Sequence, residues 1–144
     1  MAEKYLHRAQ YYETDQMGII HHSNYIRWME EARMNYLSSI GFPMEAIEQK
    51  GIVSPVVSVQ CRYKKPCRLN EVIAISVRVK AYNGVKLVLE YEMHEQESGE
   101  LRTIGTSEHC FTNKEGEVIA LKRVYPELDQ MLRKGNIERQ GGIG

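Results

Sequence analysis

The sequence predicts an α+β domain in which a curved antiparallel sheet wraps around one long central helix. Apolar residues recur every three to four positions between Tyr25 and Ile40, the period of a helix with one buried side. After Gly51 the period becomes two, as in strands with one covered face, and remains so to about Thr112. Tight turn signals, Asn83-Gly84 and Ser98-Gly99, join those strands so closely that neighbours must run antiparallel.

Tyr5 to Tyr11 alternates loosely and reads as a short first strand, and Thr14 to His22 reads as a loop. Ser23 or Asn24 is suited to cap the helix that follows. Its buried side should comprise Tyr25, Met29, Ala32, Tyr36 and Ile40, widened by Trp28 and Leu37, with Arg27, Glu30, Glu31 and Arg33 supplying charge elsewhere. Gly41 and Pro43 end it, and Pro43 to Lys50 can form a short second helix closed by Gly51.

Val57, Val59, Cys61 and Tyr63 then alternate with Ser58, Gln60, Arg62 and Lys64. Ile73, Ile75, Val77, Val79 and Ala81 form the inner face of a second strand, and Val85, Leu87, Leu89, Tyr91 and Met93 that of a third. Leu101 to Thr112 alternates weakly, as though both faces were covered. Asn113 to Gly116 turns the chain, Pro126 to Lys134 reads as a short terminal helix, and the glycine-rich end carries no packing signal. The resulting expectation is one domain over residues 1–137, a meander of about four strands, and a flexible tail over 138–144. Open sheet edges further predict pairing with a second copy, as a homodimer or homotetramer.

At 144 residues the chain can bury an apolar core without disulfides or metals. Nineteen basic and 19 acidic residues cancel, which excludes the basic excess of a general nucleic-acid binder. Cys61, Cys67 and Cys110 form no C-x-x-C pair and no zinc-type spacing, so they read as reduced thiols serving as small hydrophobes. No signal-like or membrane-length apolar run occurs, and a soluble, cytoplasmic protein is expected. Nucleophilic serine chemistry and phosphate cradling lack their motifs.

The chemistry concentrates between Tyr11 and Tyr25. Asp15 lies three residues before Gly18 and shortly before a helix start, where unpaired N–H groups favour developing negative charge. The same spacing also suits a plain turn, with Asp15 as turn residue, Gly18 at positive φ and His22 as a surface imidazole. A metal held by Asp15, His21 and His22 is disfavoured, because adjacent histidines seldom aim at one ion and no fourth ligand is apparent.

The run Tyr11-Tyr12-Glu13-Thr14-Asp15-Gln16-Met17-Gly18-Ile19-Ile20-His21-His22-Ser23-Asn24-Tyr25, continuing through Arg27-Trp28 to Glu31-Ala32-Arg33, closely resembles the hotdog-fold acyl-CoA thioesterases of the 4-hydroxybenzoyl-CoA thioesterase type. The branch often encoded with the Tol-Pal system looks nearest. A weaker resemblance covers Tyr63 to Pro66 and Arg68-Leu69-Asn70-Glu71, similar to that family's loop between strands. The resemblance implies a hotdog fold and hydrolysis of a thioester to free acid and coenzyme A. It makes Asp15 the catalytic carboxylate and the His22 backbone N–H the donor that polarises the carbonyl. The His22 and Tyr11 side chains match further active-site positions. Gly18 and Tyr25 match positions at the substrate. Glu13 departs from the usual aspartate and His21 from the usual aromatic, which bears on the shape of the acyl pocket.

A thioester carbonyl is electrophilic and its thiolate leaves readily, so a placed carboxylate and an oxyanion donor can suffice, with no metal or organic cofactor. Asp15 can attack directly or activate water; a second proton-handling group at His22 favours the general base. Lys64, Lys65, Lys86, Lys122 and Arg123 are candidate cations for the coenzyme A phosphates, with Lys86 raised by its place beside the turn where this family often holds the CoA tail. An acyl-carrier-protein thioester is an alternative substrate. A non-catalytic acyl-CoA-binding hotdog protein is the competing reading.

Overall fold

In the computed structural model, which describes residues 4–141, a five-stranded antiparallel sheet packs on two long helices, one directly after the opening loop and one at the C-terminal end. The strands are β1 (Tyr5–Arg8), β2 (Val56–Tyr63), β3 (Val72–Tyr82), β4 (Lys86–Glu95) and β5 (Leu101–Cys110), in the order β1-β3-β4-β5-β2. Only β3, β4 and β5 form a meander. After the helix, β2 crosses to the outer side of β5 instead of pairing with β3, so the expected four-strand meander is three strands plus two edges.

Helix α1 spans Ser23–Ser39 and buries the expected stripe: Tyr25, Trp28, Met29, Ala32, Tyr36 and Leu37. Ile40, expected at the end of that stripe, is the C-cap residue and is half-buried. Arg33, expected on the charged side, is buried as well, at 4% exposure. A side chain at Gly105 of β5 would stand 3.0 Å from the Met29 sulfur and terminal methyl, so the glycine lets the helix seat closely on the sheet. Gly41, at φ +95°, ends α1, and Pro43 precedes α2 (Met44–Gln49).

Two departures from simple alternation have local causes. The β3–β4 register shifts between Val79 and Ala81, and this bulge turns Ala81 out and Tyr82 in. The Tyr82 hydroxyl then donates to the buried Asp129 carboxylate on α4, which also accepts from Arg133 Nε at 3.0 Å. In β5 the inward positions are Thr103, Gly105, Ser107 and His109, so from Thr103 onward burial alternates although hydropathy does not. Along the outer edge, β2 leaves Val56, Val57, Val59 and Tyr63 exposed, and the face expected to be buried is open in the single chain.

The chain closes with α3 (Leu121–Val124) and α4 (Pro126–Gly141), which packs Leu128 and Leu132 into the core. Helix α4 runs past the expected end at Lys134 and through Gly141; residues 142–144 of the expected tail lie outside the described residues. Among the described residues no helix is long and apolar enough to cross a membrane, and the three cysteines are free thiols.

Candidate active site

The loop before α1 is organised around Glu13, the residue at which the sequence departs from the family pattern. Glu13 is 2% exposed at the end of a 3-10 turn, Tyr11–Glu13. Its carboxylate accepts from Trp28 Nε1 at 2.7 Å, Gln10 N at 2.8 Å and His7 Nε2 at 2.9 Å. Burial alone would raise this carboxyl, but the hydrogen bonds from His7, Trp28 and Gln10 outweigh it and hold it below its ordinary value. Its carbonyl meanwhile accepts from His21 N and Asn24 Nδ2, both at 2.9 Å. One residue thus ties the first strand, the core tryptophan and the start of α1 to the loop that carries Asp15.

Asp15 closes a tight turn on itself. Its Oδ1 accepts from Met17 N at 2.7 Å and more weakly from Ile19 N at 3.4 Å, while its own N–H donates to the Ile19 carbonyl at 2.8 Å. Gly18 holds φ at +80°, a conformation that makes this reversal accessible without strain. The turn reading of Asp15 and Gly18 is therefore correct as local structure, and it also fixes one carboxylate oxygen while Oδ2 has no hydrogen-bond partner among the described residues.

The first turn of α1 uses most of its own donors. Ser23 N donates to His21 Nδ1 at 3.2 Å, Asn24 N to the His21 carbonyl at 3.0 Å and Tyr25 N to the His22 carbonyl at 3.2 Å. The cap expected from Ser23 or Asn24 is not made: the N-cap residue is His22, and Nδ1 of the preceding His21 ring meets the Ser23 N–H and the Ser23 hydroxyl. Among the described residues no acceptor takes the His22 N–H, the donor position expected for the oxyanion.

A second loop braces the first. Ile20 N donates to the Cys67 carbonyl at 2.9 Å, and Ile19 bridges Arg68. Arg102 holds this second loop with Nη1 to the Pro66 carbonyl at 2.8 Å and a two-pronged pair to Glu71 at 2.8 and 2.9 Å. The bonds to Arg102 keep the Glu71 carboxyl below its ordinary value.

The expected site residues distribute unevenly over this frame. Asp15, Gly18 and His22 lie on one short loop, with the exposed His22 ring stacked on His21 at 4.3 Å and edge-on to Tyr63 at 6.4 Å. No hydrogen bond joins the His22 ring to Asp15. Tyr25, expected at the substrate, is 3% exposed, and its hydroxyl accepts from Cys67 N at 3.1 Å; it fastens the two loops together instead of facing solvent. Tyr11 is 79% exposed, with no ring contact among the described residues. Lys64 follows Tyr63 at the site end of β2 and is exposed. Lys86 pairs with Glu108 at 3.0 Å, and it and Arg123 stand at the other end of the sheet, a strand length of roughly 30 Å away. Sequence reasoning missed Glu13 as the anchor, Tyr63, whose hydroxyl reaches toward the His22 carbonyl at 3.5 Å, and Arg68 beside Ile19. An acid two residues before Asp15, with a tryptophan on the following helix, was the available signal for the first.

Comparison with known proteins decides the family. The thioesterase-like superfamily matches residues 10–133. The chain belongs to this superfamily. A Bacillus subtilis protein named as a candidate acyl-CoA thioesterase, YneP, is 38% identical over 120 residues, covering 83% of this chain and 86% of the relative. The acyl-CoA thioester hydrolase YbgC of Escherichia coli O157:H7 is 27% identical over 81 residues, 56% of this chain and 60% of the relative. Among solved structures, a DHNA-CoA thioesterase from Staphylococcus aureus superposes with a TM-score of 0.92 at 33% identity, covering 97% of this chain and 94% of the other. A gentisyl-coenzyme A thioesterase superposes with a TM-score of 0.76 at 26% identity over 82% and 94% of the two chains. The hotdog fold expected from the opening motif is thus the fold of this superfamily member.

Proposed function

We propose that the chain is an acyl-CoA thioesterase in which Asp15 acts as general base and the His22 N–H polarises the thioester carbonyl. The observation that carries this reading is the contrast within one loop: the amides of Asp15, Met17, Gly18, Ile19, Ile20, His21 and Ser23 and one oxygen of Asp15 are committed to holding the turn and the helix start, while Asp15 Oδ2 and the His22 N–H are left for a ligand. A carbonyl oxygen accepting from the His22 N–H at the positive end of α1 gains in the tetrahedral state, when its charge becomes full. The carboxylate takes the proton of an attacking water, and the coenzyme A thiolate leaves without assistance from a metal. Names of the relatives support an acyl-CoA substrate, and the exposed residues Lys64 and Arg68 supply cations at the site end of this chain.

Exposed Val56, Val57 and Val59 on an unpaired edge support a homodimer joined through β2, in which Lys86 and Arg123 serve a site completed by the second copy, while Tyr11 stands on the loop of its own Asp15. The three free cysteines support a cytoplasmic setting.

The test is release of free thiol from a panel of aliphatic and aromatic acyl-CoAs. Asp15→Asn should lower kcat by about 10²–10⁴-fold with an unchanged melting temperature, the range for loss of a placed general base. Turnover within threefold of wild type would remove Asp15 from the mechanism, and absence of thiol release across the panel would favour the binding-protein alternative. A single turnover in heavy-oxygen water separates base from nucleophile: label in the acid product supports the base, and label in the Asp15 peptide overturns it.

A further inference from the structure

The loop that carries Asp15 is a small hairpin, clamped at its neck by the side chain of Asn24 in the first turn of α1. Within the hairpin His21 N donates to the Glu13 carbonyl at 2.9 Å and Asp15 N to the Ile19 carbonyl at 2.8 Å. Half-buried Asn24 reaches both sides of the neck: its Nδ2 donates to the Glu13 carbonyl at 2.9 Å and to the His21 carbonyl at 3.2 Å. Both targets are carbonyl oxygens, so the part of the side-chain amide that faces them is its NH2 group, and both hydrogens of that group are used.

The two carbonyls control different things. The Glu13 carbonyl lies two residues before Asp15 and fixes the arm on which that carboxylate is carried. The His21 carbonyl belongs to the same peptide unit as the His22 N–H. That unit is trans, so its C=O and N–H point in opposite directions, and holding the one aims the other. The His21 oxygen accepts twice, from Asn24 N at 3.0 Å as well as from Nδ2. Each bond accepted there draws charge through the amide and makes the His22 N–H a stronger donor. A single planar side-chain group therefore touches both the arm of the acid and the peptide of the oxyanion donor. With that side chain gone, the Glu13 carbonyl keeps His21 N and the His21 carbonyl keeps Asn24 N, so the hairpin retains its ladder but loses its tie to the helix side chain.

We propose that Asn24 is a positioning residue for thioester hydrolysis, its side-chain amide setting the aim and the donor strength of the His22 N–H relative to the Asp15 carboxylate. This rests on the assignment of Asp15 and His22 to the reaction. Asn24 itself touches no reacting atom. The deficit of a poorly aimed donor is felt most when the carbonyl oxygen takes on full charge, so loss of Asn24 should appear in kcat and leave KM nearly as it was.

Thiol release by Asn24→Ala, on the fastest acyl-CoA of a panel that includes hexanoyl-CoA and benzoyl-CoA, tests it. The kcat should fall about 10–100-fold, short of the roughly 10²–10³-fold for an oxyanion donor removed outright, with KM within about threefold of wild type. A purely structural role would leave kcat of the folded protein unchanged. The second readout is the carbonyl stretch of the same acyl-CoA, isotopically labelled at the thioester carbon and bound to Asp15→Asn so that it is not consumed. The stretch should move to lower frequency on binding, and the move should shrink when Asn24→Ala is added. Should Asn24→Ala not fold, Asn24→Ser takes its place with losses of the same kind, because one hydroxyl hydrogen cannot hold two carbonyls. A kcat within about threefold of wild type, a loss confined to KM, or the same frequency in Asp15→Asn with and without the Asn24 change each overturns the proposal while leaving Asp15 and His22 in place. No thiol release by wild type on any member of the panel overturns the thioesterase reading and this proposal together.

Discussion

At the start of α1 the buried carboxylate of Glu13 takes hydrogen bonds from His7, Gln10 and Trp28, while about three turns along the helix the buried guanidinium of Arg33 has one half-exposed partner and an Nε with none. Both groups sit in one core and both are charged. Glu13 is satisfied on every side by the protein and therefore works as a fastener, locking the loop that presents Asp15. Arg33 is under-satisfied, and its buried Nε is a cost that the fold carries. Satisfaction, more than burial, decides whether a buried charge fastens the fold or burdens it.

Opposite substitutions at the two places give the largest contrast. Glu13→Gln keeps the shape but turns one acceptor into a donor facing other donors, and it should cost about 3 kcal/mol in denaturant unfolding while lowering kcat/KM at least about tenfold. Arg33→Met should stay within about 1 kcal/mol of wild type, because an apolar group of similar length removes an ill-compensated buried charge. Equal costs at the two positions, measured by urea titration, would erase the distinction.

A pH series sharpens the picture below Arg33. His109 is held to about 4 in the folded chain against an ordinary 6.5, so the unfolded state binds the proton first. Its contribution is fully present above 6.5 and is lost as pH falls toward 4; stability should drop by about 2 kcal/mol between neutral pH and pH 5. Glu13, whose carboxyl lies below its ordinary 4.5, adds a second loss only below that value. In His109→Gln the step between pH 6.5 and 5 should vanish and the more acidic one remain; chemical unfolding at each pH reads both.

The smallest effect concerns the cations. Lys64→Ala should raise KM for an acyl-CoA about twofold to fivefold, with the difference shrinking as salt is added, as for other exposed charges. A KM unchanged at low ionic strength would detach Lys64 from the substrate.

How much of this was legible depended on whether the chain signalled with hydropathy or with geometry. Helix α1 was readable because Tyr25, Met29, Ala32 and Tyr36 recur at its own period. Strand β5 was readable as a strand but not in its facing, since its inward positions are chosen for a hydrogen-bonded chain through Ser107 and His109 and for the Met29 approach at Gly105. The bulge after Val79 reverses the last face of β3, and no single residue announces it. Strand β2 showed a true apolar face, but a sequence does not say whether the chain itself or a second copy covers it. Asp15, Gly18 and His22 are candidates through spacing and resemblance, whereas Glu13 and Arg33 looked like ordinary surface charges because hydropathy is blind to their partners.

Strand β2 ends at Tyr63, whose ring meets both His22 and Tyr25 and whose hydroxyl points at the His22 carbonyl. The open edge and the helix start are therefore mechanically continuous over one residue. If copies pair along that edge, mass action enters the rate: specific activity, ordinarily indifferent to how much enzyme is in the tube, should fall on dilution and recover on concentration, with a midpoint that reports the association constant.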